Sequence, residues 1–127
     1  MTDEDRFERG ARAYLQLRGE AARATIEKAQ EDSFGAARAR WTVESCFGDI
    51  WTRPGLDLRA RSLVTLGMLL ALRLPEEFKN HCRIGLRNGL TPTELEEVVM
   101  HSSPYLGLPG TTFASRALEE VLAEPRT

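Results

Sequence analysis

The sequence predicts an all-α protein, a single-domain bundle of about six helices over residues 1–127. Three observations carry this expectation. Leu and Ala together number 31 while Ile and Val number 8, a bias toward side chains that keep rotamer freedom in helices and away from those favoured in strands. Apolar residues recur at three- and four-residue spacing rather than alternating. Capping and turn signals then cut the chain into pieces of helical length.

Each element follows from its own signals. Thr2 with Asp5 resembles a capping pair for a first helix on which Phe7, Ala11, Tyr14, Leu15 and Arg18 step at helical spacing, and Gly19 offers a left-handed stop. A short helical piece is expected over residues 20–30. Ser33 is placed as the cap of a second long segment, with Phe34, Ala37, Trp41, Ser45 and Ile50 on one stripe. Thr52-Arg53-Pro54-Gly55 reads as a turn, because Pro fixes φ and Gly supplies the positive-φ conformation. Asp57 then caps a third helix over 58–74. Leu63, Leu66, Leu69, Leu70 and Leu72 make that helix apolar on more than one face, which predicts a central helix covered by its neighbours or by another subunit. Pro75 suits a first helical turn, Glu76 and Glu77 favour a positive helix N-terminus, and Asn88-Gly89 ends the segment. Thr91-Pro92-Thr93-Glu94 combines an N-cap, a first-turn Pro and a Glu three residues after the cap. Pro104 predicts a kink or early end, since it lacks an N–H and crowds the carbonyl of Met100. Gly107-Leu108-Pro109-Gly110 is expected to separate a final helix, 111–123, packed through Phe113, Ala117 and Leu118.

Composition narrows the function classes. Seventeen Lys and Arg against nineteen Asp and Glu give a net charge of −2, which provides no broad basic field for nucleic acid. The longest apolar stretch, residues 63–72, is half of the ~20 residues that cross a bilayer, so no membrane partner is expected. The opening Met1-Thr2-Asp3-Glu4-Asp5 is acidic where a secretory signal is basic and then apolar, which predicts a cytoplasmic protein. Cys46 and Cys82 lie 36 positions apart, without redox-pair or zinc spacing, and are read as buried structural thiols; no metal site is expected. A P-loop, a Rossmann fingerprint and the G-x-S-x-G and H-E-x-x-H motifs are all missing from the sequence.

The residues able to carry chemistry are few. Glu77 and His81 stand at i and i+4, so a carboxylate shares a helix face with an imidazole; this spacing fits an acid–base couple, but by itself it more often marks an exposed pair worth a few tenths of a kcal/mol. His101 and Tyr105 repeat the spacing beside the glycine-rich turn, where they line a pocket or simply place a cation at a helix C-terminus. Arg53, after Trp51, offers a planar charged fork to a carboxylate or stands in solvent as a loop arginine. Arg61, Arg83 and Arg87 are further cations.

At these residues the chain resembles the 4-carboxymuconolactone decarboxylase family, whose fold is shared with alkyl hydroperoxidase D-like proteins. The resemblance runs through Asp3-Glu4-Asp5-Arg6-Phe7 with Gly10, then Phe47-Gly48-Asp49-Ile50-Trp51-Thr52-Arg53-Pro54-Gly55-Leu56. It continues through Arg61-Ser62-Leu63-Val64-Thr65-Leu66, Glu77 to His81 with Arg83, Asn88-Gly89-Leu90-Thr91 and Glu94-Leu95, and closes on His101, Tyr105, Gly107, Leu108 and Pro109. In the peroxidase relatives two cysteines precede the histidine matching His81, and here those positions hold Leu74 and Glu77. The resemblance therefore implies the cofactor-free decarboxylase branch rather than peroxide reduction.

It implies a cytoplasmic homo-oligomer, a trimer or hexamer, that removes CO2 from 4-carboxymuconolactone or a related acidic lactone to give β-ketoadipate enol-lactone in protocatechuate breakdown. His81, held by Glu77, is the implied proton donor, and His101 the group that stabilises the developing oxyanion or shares the proton transfer. Arg53 is the implied carboxylate anchor and Arg61 a weaker one, with Trp51, Asp49 and Tyr105 also at the substrate. The chain departs from the family pattern at Arg73-Leu74-Pro75, at Pro104 and Leu106, at Gly110-Thr111-Thr112-Phe113, and at Phe47 and Asp49. These departures leave two other readings open: a relative catalysing another proton transfer, such as isomerisation or cyclisation of an unsaturated acid, and a non-catalytic binding module.

Overall fold

In the computed structural model, residues 2–125 are described; Met1, Arg126 and Thr127, at the ends of the expected domain, lie outside the described residues. Among the described residues every regular element is helical. They form two compact units divided between Leu56 and Asp57.

The first unit opens on α1, Asp3–Arg18. Its start is the expected capping box: the Asp5 amide donates to Thr2 Oγ1 at 3.1 Å and the Thr2 amide to Asp5 Oδ2 at 3.3 Å, satisfying two of the amides a helix start leaves unpaired. Gly19 ends it at φ 68°. A 3-10 turn, Gly19–Ala22, leads into α2, Arg23–Ala29, where the short helical piece was expected. After a turn come α3, Ala36–Trp41, and a π-helical segment, Thr42–Ile50, in which each turn is one residue wider than in an α-helix.

Two expectations for this stretch are corrected. Ser33 does not cap the second segment: Gly35 occupies the cap position at φ 92°, and the Ser33 hydroxyl donates instead to Glu31 at 2.9 Å. Nor does the stripe through Phe34, Trp41 and Ile50 face inward, for these are 100%, 63% and 51% exposed. The buried positions are Ala36, Ala39, Val43, Phe47, Gly48 and Trp51. The physical reason lies at Gly10 and Gly48, where α1 crosses the π segment: a Cβ on Gly10 would stand 1.9 Å from the Val43 carbonyl oxygen, and one on Gly48 would stand 3.4 Å from Gly10 Cα. Only the glycine-bearing face allows so close a crossing. Tyr14 and Phe47 stack beside it with centroids 4.1 Å apart.

The second unit holds α4, Leu58–Leu72, α5, Pro75–Arg87, and α6, Pro92–Leu122. Asp57 caps α4 as expected, accepting from the Ala60 amide at 2.8 Å. Arg73 ends it in the left-handed region at φ 57°. Pro75 begins α5, and Gly89 at φ 94° follows the closing Asn88. Thr91, Pro92 and Glu94 form the expected capping box of α6. The core joins Leu66 and Leu70 of α4, Phe78 and Cys82 of α5, and Leu95, Val99, Ala114, Leu118 and Val121 of α6. Asn88 adds a polar tie, donating from Nδ2 to the buried Ser62 hydroxyl at 2.9 Å. Lys79–Glu120 at 2.9 Å links α5 to α6 along the surface, and Arg83–Glu124 at 2.7 Å ties α5 to the residues just past the end of α6.

Here, too, the structure differs from expectation. The helix does not end at Pro104; it runs through that residue and breaks only at Gly107, the first residue of the expected Gly107–Gly110 separator, whose φ of 78° and ψ of 168° are non-helical. Proline removes one hydrogen bond from a continuing helix, whereas a positive φ with extended ψ reverses the chain's path. Pro109 sits in the first turn of the second limb, so that limb starts before the expected residue 111. The apolar α4 is buried on one face only within the chain, through Ser62, Leu66 and Leu70; Val64, Met68 and Leu72, each one turn apart, are all more than half exposed.

Candidate functional site

Two helices of the second unit present the candidate chemistry. On α5 the buried positions Phe78, Cys82 and Gly85 recur once per turn, and His81 lies at the edge of that stripe. Its ring is half-buried, with Nδ1 inside the protein. Glu77, one turn earlier, is exposed in the first turn of α5. Its neighbour Glu76 pairs with Lys79 at 2.9 Å. The couple expected from spacing thus has one member in the protein and one in water.

Cys82 follows His81 directly but is fully buried, and burial pushes its thiol up to about 12. A thiol held there stays protonated and non-nucleophilic near neutral pH. Burial likewise pushes up the Cys46 thiol in the first unit.

On α6, Glu94 stands three and four residues before Glu97 and Val98, which stand four and three residues before His101, so the four share a face. With Ser102 they form one wall of an open groove of about 380 Å³, whose other wall is Leu63 and Gly67 of α4. Glu94 pairs with Arg59 and also accepts from the Thr91 amide at 2.9 Å, and these partners hold its carboxyl below the usual range. His101 is exposed at the groove, and the Tyr105 ring lies 5.7 Å from it, centroid to centroid, tilted by 44°. The groove lining takes in His101 but neither Tyr105 nor the Glu77/His81 couple.

The remaining predicted residues are placed as follows. Arg61 is half-buried on α4. In the first unit, Trp51 is buried and stacks on Phe47 at 6.2 Å, while Arg53 is exposed on the turn that follows. Asp49 is gripped by Arg6 at 2.7 Å and Arg9 at 2.9 Å, and these guanidinium hydrogen bonds hold its carboxyl below the usual range. That carboxylate therefore fastens α1 to the π segment.

Glu97 and Gly67 escaped the reading of the sequence. Glu97 carried a legible signal, since it precedes His101 by the same four residues that separate Glu77 from His81. Gly67 carried none, because a lone glycine inside an apolar helix does not say which neighbour it leaves room for.

The profile described as the carboxymuconolactone decarboxylase family matches residues 36–120. A 4-carboxymuconolactone decarboxylase of Acinetobacter baylyi is 34% identical over 126 residues, covering 98% of this chain and 92% of that protein. A nitrosuccinic acid decarboxylase of Metarhizium robertsii is 41% identical over 67 residues, covering 53% of this chain and 47% of that protein.

Proposed function

The chain belongs to the carboxymuconolactone decarboxylase family, and on that premise we propose that it is a decarboxylase whose substrate is 4-carboxymuconolactone or a closely related acidic lactone. The similarity to the Acinetobacter enzyme along almost the whole of both chains carries the reading. The nitrosuccinic acid decarboxylase supports the reaction type over a shorter stretch.

The chemistry needs an electron sink and a proton. When the carbon–carboxylate bond breaks and CO2 leaves, its electron pair flows through the conjugated lactone into the ring carbonyl oxygen, giving an enolate-like intermediate. The sink belongs to the substrate. The protein's part is to stabilise charge that exists only in the transition state and then to protonate carbon. In this reading His81 is the proton donor. Its half-buried setting restricts the ring, and the Glu77 carboxylate one turn away favours the imidazolium. His101, at the groove, donates to the developing oxyanion, and Arg61 is a weaker anchor for the substrate's carboxylate. Apolar walls at Leu63 and Val98 give the uncharged face of the lactone ring a nonpolar bed beside His101.

The direct test is ultraviolet-monitored turnover of 4-carboxymuconolactone by purified protein against a no-enzyme control. Saturable loss of substrate with release of one CO2 per turnover is the expected result. A folded protein that leaves this lactone and a panel of related acidic lactones untouched overturns the reading.

We also place self-association on α4. Val64, Met68 and Leu72 form an exposed apolar row, a surface that a soluble protein covers more readily with another subunit than with water. Sedimentation at micromolar concentration is expected to give a species several times the 14.2 kDa of one chain. A monomer under those conditions would remove this proposal.

A further inference from the structure

Gly67 lies in the interior of α4, where glycine is among the poorest helix formers. Glycine usually enters a helix for one of two reasons. Either the backbone takes a positive φ or a neighbouring element crowds the missing Cβ. Gly67 meets neither condition: its φ is not positive, and a Cβ built there would find nothing within 4 Å. At Gly10, Gly85 and Gly110, by contrast, a Cβ would stand 1.9, 2.9 and 3.1 Å from other atoms. The space in front of Gly67 is the groove that holds His101.

We propose that Gly67 is a specificity-determining residue, kept without a side chain so that the flat ring of an unsaturated lactone can lie against the α4 backbone within reach of His101. The inference rests on the decarboxylase reading for the identity of the ring. Groove size and lining set the occupant. A volume of about 380 Å³ is near the lower end of small-molecule sites, roughly 300 Å³, and suits a single small ring. Leu63 and Val98 offer that ring apolar contact. Charge sets its orientation, for Glu97 repels carboxylates while Glu94 is occupied by Arg59. The uncharged face of the lactone enters, with its carbonyl toward His101, and its carboxylates stay at the open side. A methyl group at position 67 narrows the slot that the ring occupies, and a leucine fills it.

The test uses Gly67→Ala and Gly67→Leu in the full chain, with two readouts. The first is KM and kcat for 4-carboxymuconolactone. The second is the shift of the His101 imidazole NMR signals, assigned with His101→Gln, on titration with muconolactone, an unsaturated lactone acid that lacks the leaving carboxylate. Gly67→Ala is expected to keep or raise the thermal midpoint, because Ala is the better helix former and its Cβ has room. Its KM and its muconolactone dissociation constant should nonetheless rise several-fold, with a smaller change in kcat. Gly67→Leu should weaken both by tenfold or more.

Wild-type affinity in a folded Gly67→Leu protein overturns the proposal; if that variant does not fold, unchanged affinity in Gly67→Ala overturns it instead. Wild-type protein that shows His101 shifts, weakened by the variants, but no turnover of any acidic lactone would sink the decarboxylase reading and leave the groove assignment standing. Turnover without any His101 shift would do the opposite. Absence of both, with an assembly that dissociates in Gly67→Leu, would give the groove to a second copy of the chain and overturn the role of Gly67 stated here.

Discussion

His81→Ala is expected to lower kcat/KM for 4-carboxymuconolactone by roughly 10²- to 10⁴-fold, the range that a positioned acid or base contributes. The loss should fall mainly on kcat, because protonation of carbon follows binding. Half-burial of the ring makes a moderate loss of stability part of the result, so circular dichroism and thermal midpoints must accompany the kinetics. Glu77→Gln separates position from charge. It keeps a hydrogen-bonding group one turn from the imidazole but removes the charge that favours imidazolium. If Glu77 acts through His81, the alkaline limb of the pH profile of kcat, where the donor imidazolium is lost, should move to lower pH, an outcome that a purely structural surface residue would not produce. Turnover that survives in a folded His81→Ala protein would transfer proton delivery to His101 or to solvent.

Gly10→Ala is expected to be among the most destabilising single-methyl additions in the chain. The new Cβ would stand 1.9 Å from the Val43 carbonyl oxygen and 2.7 Å from its carbonyl carbon, and both are backbone atoms that cannot rotate away. The first unit can respond only by lifting α1 off the π segment. Overpacking of this kind costs about 3 kcal/mol or more, a fall of roughly 10 °C in the thermal midpoint for a chain of this size. Lifting α1 would also stretch the hydrogen bonds from Arg6 and Arg9 to Asp49. Gly55→Ala is the matched control, since a Cβ there meets nothing within 4 Å. A Gly10→Ala protein that unfolds at the wild-type temperature would show that α1 does not approach the π segment so closely.

The helix starts were the most legible features because their causes are local. Thr2, Asp57 and Thr91 each place a side-chain oxygen within three residues of the amide it satisfies, so spacing alone identifies them. Ser33 offered the same chemistry and failed. Its hydroxyl had nearer charged partners in Glu31 and Lys28, and the Gly35 backbone turned the chain two residues later. The helical stripe through Phe34, Trp41 and Ile50 failed for a different reason. Periodicity identifies a face, but which face is buried depends on what the opposing helix can approach, and the two glycines decided that.

For the candidate site, the i and i+4 spacing correctly put Glu77 with His81 and His101 with Tyr105 on common helix faces, since one helical turn is a local property. It could not say that His101 would line a groove with α4, or that Asp49 would be held by two arginines some 40 residues away in sequence. Those facts are long-range.

By itself, then, the sequence determined the all-helical class, most of the helix ends and, through its resemblance, the family. Each depends on interactions spanning a few residues or on the order of motifs along the chain. Only the tertiary structure decided that α1 packs on the glycine face of the π segment and that Gly67 opens onto the His101 groove. Close packing is the reason. When helices approach to within a methyl group of each other, the selected face or opening depends on atoms distant in sequence, and no local pattern encodes that distance.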